Sequence, residues 1–412
     1  METARADVAH RDSPPLRSTA FRLYLAAVFL MSLQLEVDAF KSVADTRFPP
    51  GDFLLLFSIL LMPVAVRARR SPIALLPIAM VGVMAYGVLL AIVYAGSVSD
   101  SAIQVKLFGT ITLAIWCLVT IYYVQQGQAW RILRTWTNGM IIWGAVSFVD
   151  WKFVDYVPGL EAKTPSRFGG MQFDPNNAGA AYAVVVLVLW RYGHRLYPSL
   201  LTRLVALALG CTFLGYTFSR GGLIGAVLSA VVVLVVSRDG VSRRARAVAA
   251  AFFVTGIAVL SGYAGEALDN YTVRPDTVSS RDAEAERGIQ ELTDSWGLGI
   301  GLGTHLENNP QIIHNTAIWL TVEMSVIGLG FFIALVAVPI VVTMRGRGRD
   351  PDLAMALLAG HLAMIAASIG IEAIMQRQWW LLVGLCASPS LLAPDDATEL
   401  PQTATGERRI LA

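Results

Sequence analysis

Apolar runs bounded by charge, glycine or proline recur along the chain, at about 21–38, 52–66, 72–95, 102–124, 132–150, 176–192, 200–218, 222–237, 246–263, 315–343, 353–373 and 379–393. A bilayer-crossing helix takes about 20 residues, so the pattern predicts an all-α polytopic membrane protein of about twelve transmembrane helices. The first, second and last runs are short or interrupted by polar residues. The 315–343 run is long enough to tilt or to begin outside the bilayer. Between the runs, two polar segments exceed a simple turn, 151–175 and 264–314. In the second, Ser279, Ser280 and Asp282 mark a helix start, and 281–294 carries helix formers until the glycine run at 297–303.

Composition agrees with the pattern. Of 412 residues, 55% are hydrophobic and 15% charged, with a mean hydropathy of +0.57. Soluble domains carry about 25% charged residues, which excludes an ordinary soluble enzyme. A net charge of +2 gives no reason to expect a nucleic-acid partner. Cys117, Cys211 and Cys386 lie far apart in apolar runs, so neither a disulfide framework nor a CxxC metal site is expected.

The positions of the basic residues carry more than their sum. Cytoplasmic loops retain Lys and Arg. With an internal N-terminus, 21 of the 32 basic residues fall on the inner side and 11 on the outer side, although the outer loops are longer. The reading is therefore residues 1–20 as a cytosolic tail, 21–393 as the transmembrane domain with outer loops 151–175 and 264–314, and 394–412 as a second cytosolic tail. The first apolar run lacks a small-residue cleavage site and so reads as a span, not a removable signal peptide.

A few outer-side residues are candidates for chemistry. Arg220, in Phe218-Ser219-Arg220-Gly221-Gly222, stands between two apolar runs, where an arginine is costly unless it is paired or reaches water. Gly221 and Gly222 leave the backbone open, so an anion could approach both the guanidinium and the head of the next helix. The alternative is an arginine that snorkels to anchor a span end. At 100° per residue, Arg281 shares a stripe with Ala285, Ile289 and Leu292, about 20° to 80° away, and Arg287 points away at about 240°. Glu284 and Glu291 flank Arg287 as a solvated ion-pair face would.

His314 opens the run at 315–343, which places an imidazole at the outer surface as a candidate general base or, alternatively, a helix-capping group. His305 is nine residues away, which is not helical metal-ligand spacing, and no HExxH motif accompanies it. Arg167 precedes a turn-rich Asp174-Pro175-Asn176-Asn177 entry into a span and is either a third cation of an anion site or a flanking residue. Glu323 reads as a buried polar tie, and Lys106, Glu372 and Arg377 as interfacial anchors.

Ser219-Arg220-Gly221-Gly222 at the head of a span, Arg281 ahead of Trp296-Gly297-Leu298-Gly299-Ile300-Gly301-Leu302-Gly303, and His314-Asn315 followed by Gly328 together resemble the O-antigen ligase and O-antigen polymerase superfamily of bacterial envelope glycosyltransferases. The 167–177 stretch is similar to that family's segment ahead of an Asn-containing span, and the specific motifs cover about 165–335. Ser325 stands where the ligase pattern has its first glycine, and no Arg-x-x-x-Leu motif is evident in the outer helix.

The resemblance implies a GT-C-like fold in the bacterial plasma membrane and transfer of a glycan from a polyprenyl-pyrophosphate donor on the outer face. The acceptor would be a hydroxyl of a glycan, lipid or cell-wall component, with other envelope polysaccharide assembly proteins as candidate partners. His314 would act as base, and Arg220, Arg281 and Arg167 would bind pyrophosphate. Asn315, Gly221 and Gly301 would support the site, with no metal or other cofactor. Two other classes remain open: a lipid-linked oligosaccharide transporter or flippase, which would place its charges near the midplane and show repeat symmetry, and a noncatalytic partner of a glycan assembly complex, which would tolerate loss of His314.

Overall fold

The computed structural model describes residues 15–33, 49–62, 71–98, 106–154, 167–170, 174–237, 275–309 and 311–392. Among them all regular structure is helical. In chain order the first helices are α1 (Pro15–Phe29), α2 (Pro50–Leu60), α3 (Leu75–Ala95), α4 (Gly109–Val124), α5 (Ala129–Val149), α6 (Pro175–Leu196), α7 (Leu200–Tyr216) and α8 (Arg220–Val236). The others are α9 (Pro275–Asp294), α10 (Thr304–Asn308), α11 (Thr316–Gly346), α12 (Pro351–Ala367), α13 (Arg377–Leu385) and α14 (Pro389–Leu392).

Two helices form the centre. Residues 178–189 of α6 and 353–360 of α12 are buried, which is what a helix apolar on every side requires. Small residues bring the backbones together: a Cβ on Gly222 of α8 would come within 2.6 Å of the Gly179 carbonyl carbon of α6. Outside this core, Leu89 and Val93 of α3, Leu201 and Leu204 of α7 and Leu228 and Val235 of α8 are exposed, an apolar surface suited to lipid.

Among the described residues, three helical segments are long and apolar enough to cross a bilayer: Pro72–Ala95, Lys106–Val124 and Thr316–Gly346. Several shorter apolar helices accompany them. The apolar run at 246–263 lies outside the described residues, as do 394–412. The run at 379–393 is not one helix, because the chain turns between Cys386 and Ser388 and divides it into α13 and α14. Helix α9, expected to start near residue 281, begins at Pro275, since proline suits the first helical position.

The charges expected to anchor span ends instead tie helices together. Lys106 Nζ lies 2.6 Å from Glu372 Oε1 and 4.0 Å from the centre of the Trp319 ring. Arg377 donates through Nε (3.0 Å) and Nη2 (2.7 Å) to the Asp52 carboxylate, which also accepts from Trp116 Nε1 at 2.7 Å. The physical reason is burial, since a charge withdrawn from water persists only with a partner.

The long helix α11 is broken one-third of the way along. Met324 (φ −127°, ψ 16°) and Ser325 (φ 60°, ψ −155°) leave helical geometry. The glycine run fills the break: Ile300 and Gly301 donate backbone N–H groups to the Val322 and Glu323 carbonyls at 3.0 Å each, and Leu302 N–H donates to the Gly87 carbonyl of α3 at 2.8 Å. The loop thus supplies the hydrogen bonds that the broken helix lacks, as a membrane interior demands.

Ser325 occupies a backbone region that is almost exclusive to glycine, at a cost of about 1–3 kcal/mol. Its hydroxyl offsets part of this by donating to the Gly297 carbonyl at 2.5 Å. Ser325→Gly is therefore expected to be more stable than Ser325→Ala by about 1–2 kcal/mol, the reverse of the order in a regular helix, where glycine costs about 1 kcal/mol relative to alanine. Thermal unfolding of the two variants in detergent checks the order.

Candidate functional site

Three helix N-termini meet at one surface, and the sequence caps each of them. Asp174 accepts from Asn176 N–H (2.7 Å) and Asn177 N–H (3.0 Å) at the head of α6. Ser219 accepts from Gly222 N–H (3.2 Å) at the head of α8, and Asn315 accepts from Ala317 N–H (3.0 Å) and Ile318 N–H (3.1 Å) at the head of α11. The 368–373 turn after α12 joins them: Thr316 N–H donates to the Ser368 carbonyl at 2.9 Å, and Thr316 Oγ1 donates to the Ile371 carbonyl at 2.9 Å. Helix N-termini carry partial positive charge, so their convergence favours an anion.

A narrow cleft of about 30 Å³ opens among these ends, lined by Asn176, Ser219, Gly221, Gly222, Arg281 and Gly370 among others. Such a space admits a water or a single polar group, not a whole ligand. Arg281 reaches it from α9, with Nη1 3.6 Å from where a Gly370 side chain would begin. Burial pushes the pKa of its guanidinium below the ordinary arginine value, against the pull of Asp174 in the opposite sense.

Arg220, the first residue of α8, is exposed beside the cleft-lining Gly221. Arg167 is buried, with Nε donating to the Thr217 carbonyl (2.9 Å) and Nη2 to Asn176 Oδ1 (3.0 Å) and the Phe218 carbonyl (3.3 Å). Those bonds hold the turn between α7 and α8, in which Phe218 adopts φ 47°. Arg167 thus shapes the cleft from behind.

His314 is half-buried in the stretch leading to Asn315. Burial and the nearby Arg281 charge lower its pKa from the ordinary 6.5, while Glu372 and Asp174 act in the opposite sense. These four groups come from α9, the α11 entry, the turn after α12 and the α6 entry, so the fold gathers them from distant parts of the chain. A base with a lowered pKa is neutral, and able to accept a proton, throughout the neutral range.

Gly301 is not in the cleft. At φ +95° it lies under α11, where a Cβ would overlap the Ala91 backbone. Helix α9 also departs from its expected orientation. Arg281 faces the protein and the Arg287 side chain is 56% exposed, but Glu284 is buried, Gly288 packs on Ile313 and Val322, and Ile289 is exposed. The cause is His305, whose Nδ1 lies 2.6 Å from Glu291 and whose Nε2 lies 3.6 Å from Glu284. Asn309 Nδ2 also donates to Glu291 at 2.8 Å. Among the described residues, no group of three or more His, Cys, Asp or Glu side chains is placed to hold a metal ion.

Sequence reasoning missed the 368–373 turn and the electrostatic effect of Asp174 and Glu372 on His314. Gly370, near the end of the apolar run at 353–373, was the one local sign that the chain needed a close approach there. No family model matches this chain, and no curated protein matches it either.

Proposed function

We propose that this chain is a metal-independent membrane glycosyltransferase of the outer face of a bacterial plasma membrane, O-antigen ligase-like or polymerase-like, with about twelve spans in a GT-C-like arrangement and both termini inside. Its donor is a glycan on a polyprenyl pyrophosphate, and its acceptor is a hydroxyl. The observation that carries the reading is the gathering of Arg281, His314 and the capped head of α8 at one end of the bundle.

In this mechanism His314 takes the proton of the acceptor hydroxyl as its oxygen attacks the anomeric carbon. The bond from that carbon to the pyrophosphate oxygen breaks, and the leaving group departs with the electron pair. Arg281, the α8 N–H groups and Arg220 at the rim bind the growing charge, and Arg167 keeps the α7–α8 turn in place. Attack in line with the leaving group inverts the anomeric centre.

Arg281→Ala is expected to weaken binding of undecaprenyl pyrophosphate by about tenfold to a hundredfold, the scale of a hydrogen bond to a charged group, while Arg287→Ala changes it less than about twofold. Titrating both variants in detergent checks this, and the reverse order would sink the assignment. The acid limb of the rate is expected below pH 6.5, because His314 must lose its proton to act as base and its pKa is lowered. Arg281→Ala removes a like charge and should move that limb to higher pH, as a profile of kcat/KM against pH would record.

The transport reading draws support from one feature, the break in α11 beside buried Glu323, one of whose carboxylate oxygens has no hydrogen-bond partner among the described residues. A transporter would move the donor across proteoliposomes without releasing polyprenyl pyrophosphate.

A further inference from the structure

Helices α8, α11 and α12 each have one end at the cleft and the other at a second, larger cavity. α8 starts at Arg220, α11 starts after Asn315, and α12 ends at Ala367, all beside the cleft. At their far ends lies a cavity of about 450 Å³ lined by Ser237, Met344, Arg345, Arg347, Pro351 and Met355, among others. The 17 residues of α8 or of α12 cover about 25 Å, close to the thickness of a bilayer's hydrocarbon core. The cavity and the cleft therefore lie at opposite surfaces of the bundle, whichever way the chain is inserted.

The cavity combines two guanidinium groups with an apolar wall. Among the described residues, neither Arg345 nor Arg347 forms a hydrogen bond or ion pair. The acids nearest in sequence are engaged elsewhere. Asp350 accepts from Leu353 N–H at 3.2 Å and from Ser390 Oγ at 3.3 Å. The Asp352 carboxylate lies 3.1 Å from His194 Nε2 and 4.0 Å from Arg195 Nε. Arg349, the third arginine of the run, donates to the Leu391 carbonyl at 3.2 Å and so acts as a tie. Two arginines without an ion-pair partner among the described residues thus stand beside Met344 and Met355, which give the cavity a hydrophobic side.

We infer that this cavity binds the phosphate headgroup of an anionic phospholipid from the leaflet opposite the cleft. Arginine forks match phosphate oxygens, and flexible methionines adapt to the first part of an acyl chain. Basic pockets between membrane helices hold headgroups in this way. A free phosphate would satisfy the arginines but leave most of the cavity and its apolar wall uncovered. The inference stands independently of the proposed glycosyl transfer.

The test is native mass spectrometry of the full-length protein in detergent, titrated separately with dioleoyl phosphatidylglycerol, dioleoyl phosphatidylcholine and inorganic phosphate. One phosphatidylglycerol is expected to bind about tenfold more tightly than phosphatidylcholine, and R345Q/R347Q is expected to lose about tenfold or more of that affinity. R345K/R347K, which keeps both charges, should lose less, and Met344→Trp, which narrows the cavity, should weaken phosphatidylglycerol alone. R287Q, at the other surface, should bind as the wild type does. Equal phosphatidylglycerol binding by R345Q/R347Q and wild type would overturn the site. Inorganic phosphate that displaces phosphatidylglycerol with the same arginine dependence would overturn the lipid and leave a free-phosphate site.

Discussion

His314→Ala should lower the turnover of glycan transfer by about 10²–10⁴-fold, the usual contribution of a positioned general base. Binding of the polyprenyl-pyrophosphate donor should change little, because the anion is assigned to Arg281 and the head of α8. The protein should remain folded, since His314 is half-buried and precedes the helix, while the cap on Ala317 and Ile318 N–H groups comes from Asn315. Single-turnover transfer and donor titration on the same preparation separate the two effects. A variant that lost donor binding and kept its rate at saturation would place His314 in the anion site instead.

Gly301→Ala should destabilise the folded protein by about 2–5 kcal/mol. At φ +95° a side chain costs about 1–2 kcal/mol, and overlap with the Ala91 backbone adds the cost of overpacking, about 1–3 kcal/mol. The damage would spread, because Gly301 N–H bonds the Glu323 carbonyl at the break in α11 and its neighbour Leu302 bonds Gly87 of α3. Gly297 is the internal control. It too has positive φ, at 75°, but a Cβ there meets nothing within 4 Å. Gly297→Ala should therefore lose only the conformational part, and thermal unfolding of both in detergent should rank Gly301→Ala far below it.

Much of this fold was readable from local chemistry. The span entries expected at Asp174-Pro175 and at Ser219-Arg220 are helix starts, whereas the cap of α11, for which His314 was the candidate, is its neighbour Asn315. The separation of Arg281 from Arg287 followed from the helical step alone. What escaped was set by contacts between distant segments. The Lys106–Glu372 pair spans 266 positions, and the Arg377–Asp52 pair 325, so neither could be told from an anchor by its neighbours. Glu284 looked solvated because it stands i,i+3 from Arg287, yet His305, outside α9, covers it. The glycine run looked like a helix stop and is also the strap that fills the break at Ser325, because pattern alone does not reveal which backbone groups a loop will meet.

The most direct measurement mixes purified full-length protein with a polyprenyl-pyrophosphate oligosaccharide and an envelope acceptor extract in EDTA, and follows the release of polyprenyl pyrophosphate by mass spectrometry. The account predicts acceptor-dependent release by the wild type, with release by His314→Ala down at least a hundredfold. Release that ceased in chelator, or that continued at the wild-type rate in both His314→Ala and Arg281→Ala, would contradict it.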